Sequence, residues 1–415
     1  LCLPDEDAEE IEDIRDDKLL NLHLLQRQDE GIYKLHPLLR EFFQYKLTGL
    51  DVAEKFKVSV CGVMVTVAED IPDTPTLEQI NAVTLAIPHI AEVAKNLIEY
   101  LSDDDLISPF VGNARFYKGQ GLYNQAEPWF QQCLQATKKR LGDEHPHVAV
   151  SLNNLAELYR NQGRYSEAEP LYLQALELWR RLLGDEHPDL AFSLNNLAAL
   201  YLNQRRYREA EPLLLEALEL MRRLLGDEHP HVATSLNNLA ELYLNQGRYR
   251  EAEPRYLQAL ELTRRLLGDE NADVAQSLNN LAGLYLNQGR YSQAEPLYLQ
   301  ALELRRRLLG DEHPDVATSL NALAVLYLNQ GRYSQAEPLL LQALELRRRL
   351  LGDEHPHVAQ SLNNLAGLYR NQGRYSQAEP LLLEALELRR RSLGDEYPDV
   401  AQSLNNLAGL YLNQG

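Results

Sequence analysis

The sequence predicts an all-α protein whose larger part is an α-solenoid of stacked helix pairs. A chain of 415 residues is too long for one compact core, yet its 45% hydrophobic and 25% charged residues are ordinary for a folded protein. Two further observations predict the architecture. One is a regular internal repeat, and the other is a spacing of three to four residues between the apolar positions of each copy.

The repeat is marked by the tetrad Leu-Gly-Asp-Glu, which returns every 42 residues. The tetrads begin at Leu141, Leu183, Leu225, Leu267, Leu309, Leu351 and Leu393. Between these marks the sequence hardly changes from copy to copy. Such regularity indicates one supersecondary unit stacked in a line rather than several globular domains.

Each copy predicts two helices, as the copy that begins at Leu141 illustrates. The apolar stripes are Val148, Leu152, Leu155, Ala156 and Tyr159 in the first helix, and Ala168, Tyr172, Ala175, Leu176 and Trp179 in the second. Pro146 suits the first turn of a helix, and Gly163 suits the left-handed residue after its end. Ser166 and Glu169 have the spacing of a capping box for the second helix.

This pattern resembles the tetratricopeptide repeat. The matching positions are Leu155, Ala156, Tyr159, Gly163, Tyr165, Ala168, Tyr172 and Ala175, and they recur in the later copies. The 42-residue period is similar to that of kinesin light chains and many bacterial arrays. The resemblance implies a right-handed superhelix over residues 106–415, with a degenerate first pair, six regular pairs and one unpaired terminal helix.

The terminal helix, Val400–Gly415, has no second helix to cover it. We expect Leu404, Leu407, Leu410 and Tyr411 to be left open, because a terminal repeat normally has a polar outer face. The expectation is that the natural chain continues or that this edge pairs with another chain.

Residues 1–105 lack the repeat. A β-prone segment, Ile32–Leu35, follows the turn signal Asp29-Glu30-Gly31, so residues 1–50 predict helix, hairpin, helix. The stretch 31–43 resembles the end of the winged-helix module of NB-ARC-type (STAND) signalling ATPases. That resemblance implies that His36 approaches the phosphate of ADP, so ADP or ATP would bind in the full-length protein. Residues 51–105 predict a helical linker.

Charge and motifs exclude several functions. The net charge of −20 argues against binding duplex nucleic acid or anionic lipid, and the longest apolar run is too short to cross a bilayer. The three scattered cysteines suit a reducing, cytoplasmic location. Because phosphate-binding loops and nucleophile or zinc motifs are missing from the sequence, we expect no enzyme activity and no cofactor in this stretch.

Histidine pairs such as His145 with His147 invite a metal interpretation. The first histidine of the pair is replaced by Asn271 or Tyr397 in two copies, which a helix-start role tolerates and a metal site does not. We therefore predict a structural role and no metal. Arginine runs such as 305–307 are predicted to be mostly solvated helix ends.

A stripe of asparagines beside the core stripe is the candidate binding surface. In the tetratricopeptide fold this face of the first helix lines the inside of the superhelix, and an amide both donates and accepts hydrogen bonds. In the similar kinesin repeats an asparagine at the Asn153 position contacts cargo peptide. The candidate peptide-binding residues are Asn153, Glu157, Arg160, Asn195, Asn237, Glu241, Asn279, Asn321, Asn363 and Arg370.

The competing interpretation is that these amides brace neighbouring helices. For the Asn153 series the two interpretations weigh equally, whereas for the adjacent Asn154 series we favour bracing. Mid-helix glycines at 283, 367 and 409 indicate either room for a ligand on the same face or unselected drift.

The leading function is a peptide- or protein-binding scaffold that acts as the sensor arm of a STAND-type ATPase. The alternative is a structural scaffold without a specific ligand, which self-associates through the open C-terminal helix.

Overall fold

The computed structural model describes residues 25–29, 32–35, 53–72, 75, 77–393 and 398–414. These residues are overwhelmingly helical, so the predicted all-α class is confirmed. The chain divides into two compact units, one formed by residues 1–70 and 85–112 and the other by 71–84 and 113–415. Within the described residues no helix is both long enough and apolar enough to cross a membrane.

Among its described residues, the first unit contains one hairpin and two full α-helices of its own. Strand β1 (Leu25–Asp29) pairs antiparallel with β2 (Ile32–Leu35), and a register shift lies between Arg27 and Asp29. Its assignment to a winged helix stays a prediction, and His36 lies outside the described residues. The segment rich in β-branched residues forms helix α1 (Ala53–Glu69), as predicted.

Helix α1 packs on helix α3 (Ile87–Asn96) within the first unit. Their shared core contains Cys61, Val65 and Val93. Cys61 and Cys133 are buried free thiols, so neither is in a disulfide. Helix α2 (Leu77–Thr84) belongs to the second unit, and helix α4 (Ser108–Gly119) begins in the first unit and ends in the second.

From Tyr123 to Gln414, among the described residues, the second unit is a succession of helices in which each helix packs on the one before it. Helix α5 (Tyr123–Leu141) is the first of them, and its assignment with α4 to a degenerate first pair stays a prediction. The regular pairs are α6 (Pro146–Asn161) with α7 (Tyr165–Leu183), α8 (Pro188–Asn203) with α9 (Tyr207–Leu225), α10 (Pro230–Asn245) with α11 (Tyr249–Leu267), α12 (Ala272–Asn287) with α13 (Tyr291–Leu309), α14 (Pro314–Asn329) with α15 (Tyr333–Leu351), and α16 (Pro356–Asn371) with α17 (Tyr375–Leu393). Helix α18 (Pro398–Gln414) is the unpaired last helix.

The link between pairs shows why each first helix begins where it does. Gly184 follows the end of α7 with φ at 73°, a left-handed backbone conformation that residues other than glycine rarely adopt. Nδ1 of His187 then accepts the backbone N–H of Asp189 at 3.2 Å and caps α8. The same cap recurs in the other described links, and Asn271 Oδ1 accepts the N–H of Asp273 at 2.8 Å. The predicted helix-start role is therefore confirmed.

The predicted capping box at Ser166 and Glu169 is wrong. Helix α7 begins at Tyr165, and no side chain caps it. Glu169 instead accepts hydrogen bonds from Tyr201 (3.0 Å) and Arg206 (2.7 Å) in the next pair. The ion pair with Arg206 holds the carboxylate against the next pair and away from the start of α7.

We call this arrangement of glutamate, tyrosine and arginine the inter-repeat clasp. Arg290 Nη1 lies 2.7 Å from Glu253 Oε2, and the guanidinium stacks 4.1 Å from the ring centroid of Tyr285. The arginines stand in the turn inside each pair, and the glutamates in the second helix of the preceding pair. The ion pairs are Arg164–Glu127, Arg206–Glu169, Arg248–Glu211, Arg290–Glu253, Arg332–Glu295 and Arg374–Glu337.

The core between helices consists of small and apolar side chains. Ala156, Ala168 and Ala175 are fully buried, which lets neighbouring helices approach closely. At the last helix Leu404 and Tyr411 are exposed, as expected, but Leu410 is fully buried against α17. The expectation for Leu410 was wrong because the preceding pair already covers its side of the helix.

The prediction that the arginine runs are solvated is wrong for their first members. Arg305, Arg347 and Arg389 are buried, at 2%, 2% and 7% exposure, while the arginines that follow them are not. Each buried guanidinium donates to the next first helix, as Arg305 does to Ser319 Oγ at 2.8 Å. Helical spacing turns this one position of three toward the neighbouring pair.

The second unit also makes contacts between parts that are distant in sequence. Helix α5 packs against α17, and α2 packs against α15. The turn after α4 comes so close to the start of α16 that a β-carbon on Gly121 would lie 2.5 Å from Cδ of Pro356. In this contact burial lowers the pKa of His355 to about 3, helped by His357 and Arg347.

Candidate functional site

The candidate asparagines occupy one equivalent position in the first helices α6 to α16. Each of these helices packs against the first helix of the next pair, so the asparagines stand in a row along that contact. The structure divides the row into engaged and unengaged amides. Their role in binding a peptide stays a prediction, and the geometry decides which of them keep free hydrogen-bonding capacity.

Three amides of the row accept a hydrogen bond from an asparagine of the following first helix. Asn238 donates to Asn195 Oδ1 at 3.2 Å, Asn364 donates to Asn321 Oδ1 at 2.8 Å, and Asn406 donates to Asn363 Oδ1 at 3.0 Å. Asn321 and Asn363 are also buried. The donors belong to the Asn154 series, so the bracing role predicted for that series is confirmed at these three places.

Three other amides keep a buried carbonyl oxygen without a partner, namely those of Asn153, Asn237 and Asn279. The Nδ2 of Asn153 donates to Ser193 Oγ at 3.2 Å, which leaves its oxygen unused. Asn279 has no amide partner in the next helix because Ala322 occupies the place of the second asparagine. A buried acceptor without a donor costs about 1–3 kcal/mol, so these three oxygens destabilise the fold as they stand.

A cavity of about 740 Å³ lies where the row of braced amides is interrupted. Helices α10 and α12 form its walls and contribute Asn237, Asn279 and Gln276, while Tyr256 and Tyr298 come from the second helices behind them. Gly283 widens the cavity, because a β-carbon there would meet only the hydroxyl of Tyr298 at 3.6 Å. The predicted room at Gly283 is present.

The two candidate glutamates differ in their partners. Glu157 is paired with Lys118 at 2.7 Å, and although burial pushes its pKa upward, this ammonium and Arg160 hold it below the ordinary value. Glu241 lies in the wall of the cavity, where its side chain keeps solvent-accessible surface. The surrounding protein removes part of the hydration of the carboxylate, which raises the pKa of Glu241, and the charge of Arg160 opposes the rise.

The candidate arginines do not line this cavity. Arg160 reaches Asn161 Oδ1 at 3.5 Å, and its buried Nε has no partner. Arg370 lies beside the glycine of the next first helix, since a β-carbon on Gly409 would be 3.4 Å from its Nη1. Their binding roles remain predictions.

Sequence reasoning missed the cavity and the two tyrosines behind it. The signal was present in Ala322, the one departure from the double asparagine among the seven regular first helices. A second signal was Gln276, whose Nε2 donates to Asn280 Oδ1 at 2.8 Å and whose Oε1 accepts from Arg305 at 2.6 Å.

Stacked helix pairs with a lined cavity between first helices define an α-solenoid of the helical-repeat class. Family models described as the tetratricopeptide repeat match residues 105–177, 149–223, 194–265, 273–349, 319–391 and 357–415, and a second such model matches 237–307. The chain belongs to the tetratricopeptide-repeat family.

Solved structures give further likenesses. A putative kinesin light chain from Podosopora anserina with nearly identical TPR-like repeats is 28% identical, with 49% of this chain and 97% of that chain covered and a TM-score of 0.42. A STAND protein with a tetratricopeptide repeat sensor from Pyrococcus horikoshii is 16% identical (TM-score 0.55; 100% and 59% covered). The apo form of the quorum sensor NprR from B. thuringiensis is 16% identical (TM-score 0.52; 92% and 99% covered). No curated protein matches the sequence significantly.

Proposed function

We propose that the array captures an extended peptide along the inner face of its first helices. The single observation that carries this proposal is the pair of unpaired buried carbonyl oxygens, Asn237 Oδ1 and Asn279 Oδ1, at a 740 Å³ cavity. In a tetratricopeptide array each first helix touches the next first helix, which places these helices on the shorter, inner side of the stack. An extended peptide presents backbone N–H groups that such oxygens can accept.

The braced amides narrow the proposed contact set. Asn195, Asn321 and Asn363 hold adjacent helices together, so Asn153, Asn237 and Asn279 provide the free capacity. The braced amides hold the first helices in place, so the unbraced amides are already positioned before a peptide binds. This organisation lowers the free-energy cost of binding.

The proposal is tested by replacing Asn237 and Asn279 with alanine and using the array as bait. Two lost hydrogen bonds are worth about 1–3 kcal/mol in total, so peptide capture should fall about 5- to 150-fold. The matched control replaces Asn203 and Asn245, exposed residues at the ends of α8 and α10, with alanine. Equal capture by both double variants would contradict the proposal.

We further propose that the array is the sensor arm of a STAND-type ATPase. The resemblance at residues 31–43 and the shared fold with the Pyrococcus horikoshii protein support this arrangement. The nucleotide machinery would then lie outside this chain, and titration of ADP into the chain should release no binding heat. Tight ADP binding by this chain would contradict the assignment.

Self-association is the second candidate function, favoured by the exposed Leu404, Tyr411 and Leu412 on α18. It predicts that sedimentation velocity shows a rising mass as protein concentration rises. A peptide receptor of the proposed kind keeps a constant mass, and its double asparagine variant has the same mass.

A further inference from the structure

We propose that the cavity between α10 and α12 receives a cationic N–H donor of the bound peptide, either an arginine or lysine side chain or a free N-terminal amine. This inference rests on the proposed peptide-binding function and names the chemistry that the site selects. It follows from the hydrogen-bonding groups of the cavity, their partners and the charges around them.

Three side chains of the cavity have acceptors without a donor. Asn237 Oδ1 and Asn279 Oδ1 are buried without donors, and Glu241 forms no hydrogen bond or ion pair with the residues that the structure describes. A ligand group that bonds to these acceptors must carry N–H bonds. Guanidinium and ammonium groups do so, whereas carboxylates and phosphates offer only acceptors.

The charged side chains that line the cavity also favour a cation. The carboxylates that line the cavity are Glu241 and Asp273, and neither lysine nor arginine is among the described side chains of the lining. The buried guanidinium of Arg305 is already committed to Gln276 Oε1 at 2.6 Å and Ser319 Oγ at 2.8 Å. The charge of Arg160 offsets only part of the cost of burying Glu241, so a ligand cation would add countercharge there.

The same position in the first regular repeat shows what a satisfied glutamate looks like. There Glu157 is held by Lys118 at 2.7 Å, a lysine from the degenerate first pair. Glu241 occupies the equivalent place two repeats later without such a lysine. The net charge of −20 adds long-range attraction for basic peptides.

The test uses defined peptide sets with the full chain as bait. Three sets of ten-residue amidated peptides share the same randomised positions. The first set is N-acetylated with a fixed central arginine, the second N-acetylated with citrulline, and the third carries citrulline and a free N-terminus. Citrulline keeps the shape of arginine and removes its charge. Captured peptides are counted by mass spectrometry.

We expect the arginine set to be captured about tenfold or more above the acetylated citrulline set, and Glu241→Gln to abolish that preference. Helices in other copies carry Ala199 and Val325 at this place, so the fold tolerates the change. The control Glu261→Gln removes an equal charge from the exposed face of α11 and should retain the preference. Preferential capture of the third set over the second would identify the N-terminal amine as the donor.

The outcomes separate the two proposals. Equal capture of all three sets, with loss in the Asn237→Ala and Asn279→Ala double variant, would overturn the cationic-donor inference and leave peptide binding intact. A preference that survives Glu241→Gln would likewise overturn it. If wild type captures none of the sets, both proposals fall.

Discussion

Replacing His357 with aspartate should stabilise the fifth regular pair, because it gives a buried cation its missing countercharge. Arg347 is 2% exposed and donates to the backbone carbonyl of His357 (3.0 Å), Gln360 Oε1 (3.2 Å) and Ser361 Oγ (2.9 Å). All three acceptors are neutral, and its Nε is buried without a partner. Burial lowers the pKa of Arg347 to about 10.

The neighbouring copies show the compensated arrangement. Arg305 and Arg389 are buried in the equivalent place, but the residue at the position of His357 is Asp315 or Asp399. The charge of Asp315 opposes the fall in the pKa of Arg305, and Asp399 Oδ2 lies 3.8 Å from Arg389 Nη2.

The size of the effect follows from the lowered pKa. The difference from arginine's ordinary value of 12.5 corresponds to about 3 kcal/mol, at about 1.36 kcal/mol for each pH unit. An aspartate at the edge of the buried site should recover about 1–2 kcal/mol of this, since it also loses hydration. In addition, an acidic residue in the first turn of α16 gains about 0.3–1 kcal/mol from the helix dipole.

The matched control is His231→Asp, which repeats the change where Met221 replaces the arginine. It carries the helix-dipole contribution without a buried arginine, and it also loses the contact between the rings of His231 and Phe192, whose centroids are 5.0 Å apart. Hydrogen exchange measured by mass spectrometry over residues 340–371 gives the local opening free energy, which suits a repeat array better than one global transition. Equal gains in the two variants, or no gain from His357→Asp, would refute the reasoning.

Three further predictions concern stability. Arg205 holds φ at 57° where other copies have glycine, so Arg205→Gly should gain about 1 kcal/mol and Gly247→Ala should lose as much in urea unfolding. His355 has a folded-state pKa of about 3, below its ordinary 6.5, so its contribution to folding stability is complete above pH 6.5 and falls as the pH drops. About 2 kcal/mol should be lost at pH 5. Because asparagine caps the helix as Asn271 does, His355→Asn should remove that loss, measured as the difference between urea midpoints at pH 7.5 and 5. Arg290→Met opens one inter-repeat clasp and should lower the thermal midpoint, by a smaller difference in about 1 M salt because screening already weakens the pair.

Local sequence signals predicted the helices well because they depend on neighbouring residues alone. His187 and Asn271 cap helices by bonding a backbone N–H two residues away, and Gly184 needs only its own φ. Ser166 failed for the opposite reason. Its presumed partner Glu169 was attracted to an arginine 37 residues further along the chain.

The candidate site was only partly predictable. The row of asparagines and the room at Gly283 could be read from spacing. The sequence could not show which amides stay free, because Asn195 and Asn237 occupy equivalent positions. The next helix bonds to Asn195 Oδ1 and leaves Asn237 Oδ1 without a partner. The lone carboxylate of Glu241 likewise looks the same in sequence as the paired one of Glu157.

By itself the sequence determined the helix pair, its 42-residue period and membership of the tetratricopeptide-repeat family, since periodicity and capping act within one copy. Only the tertiary structure decided that Arg305 and Arg347 are buried, that part of the amide row is braced, and that a cavity opens between α10 and α12. Near-identical copies acquire different environments because burial and hydrogen bonding depend on what the adjacent helix presents.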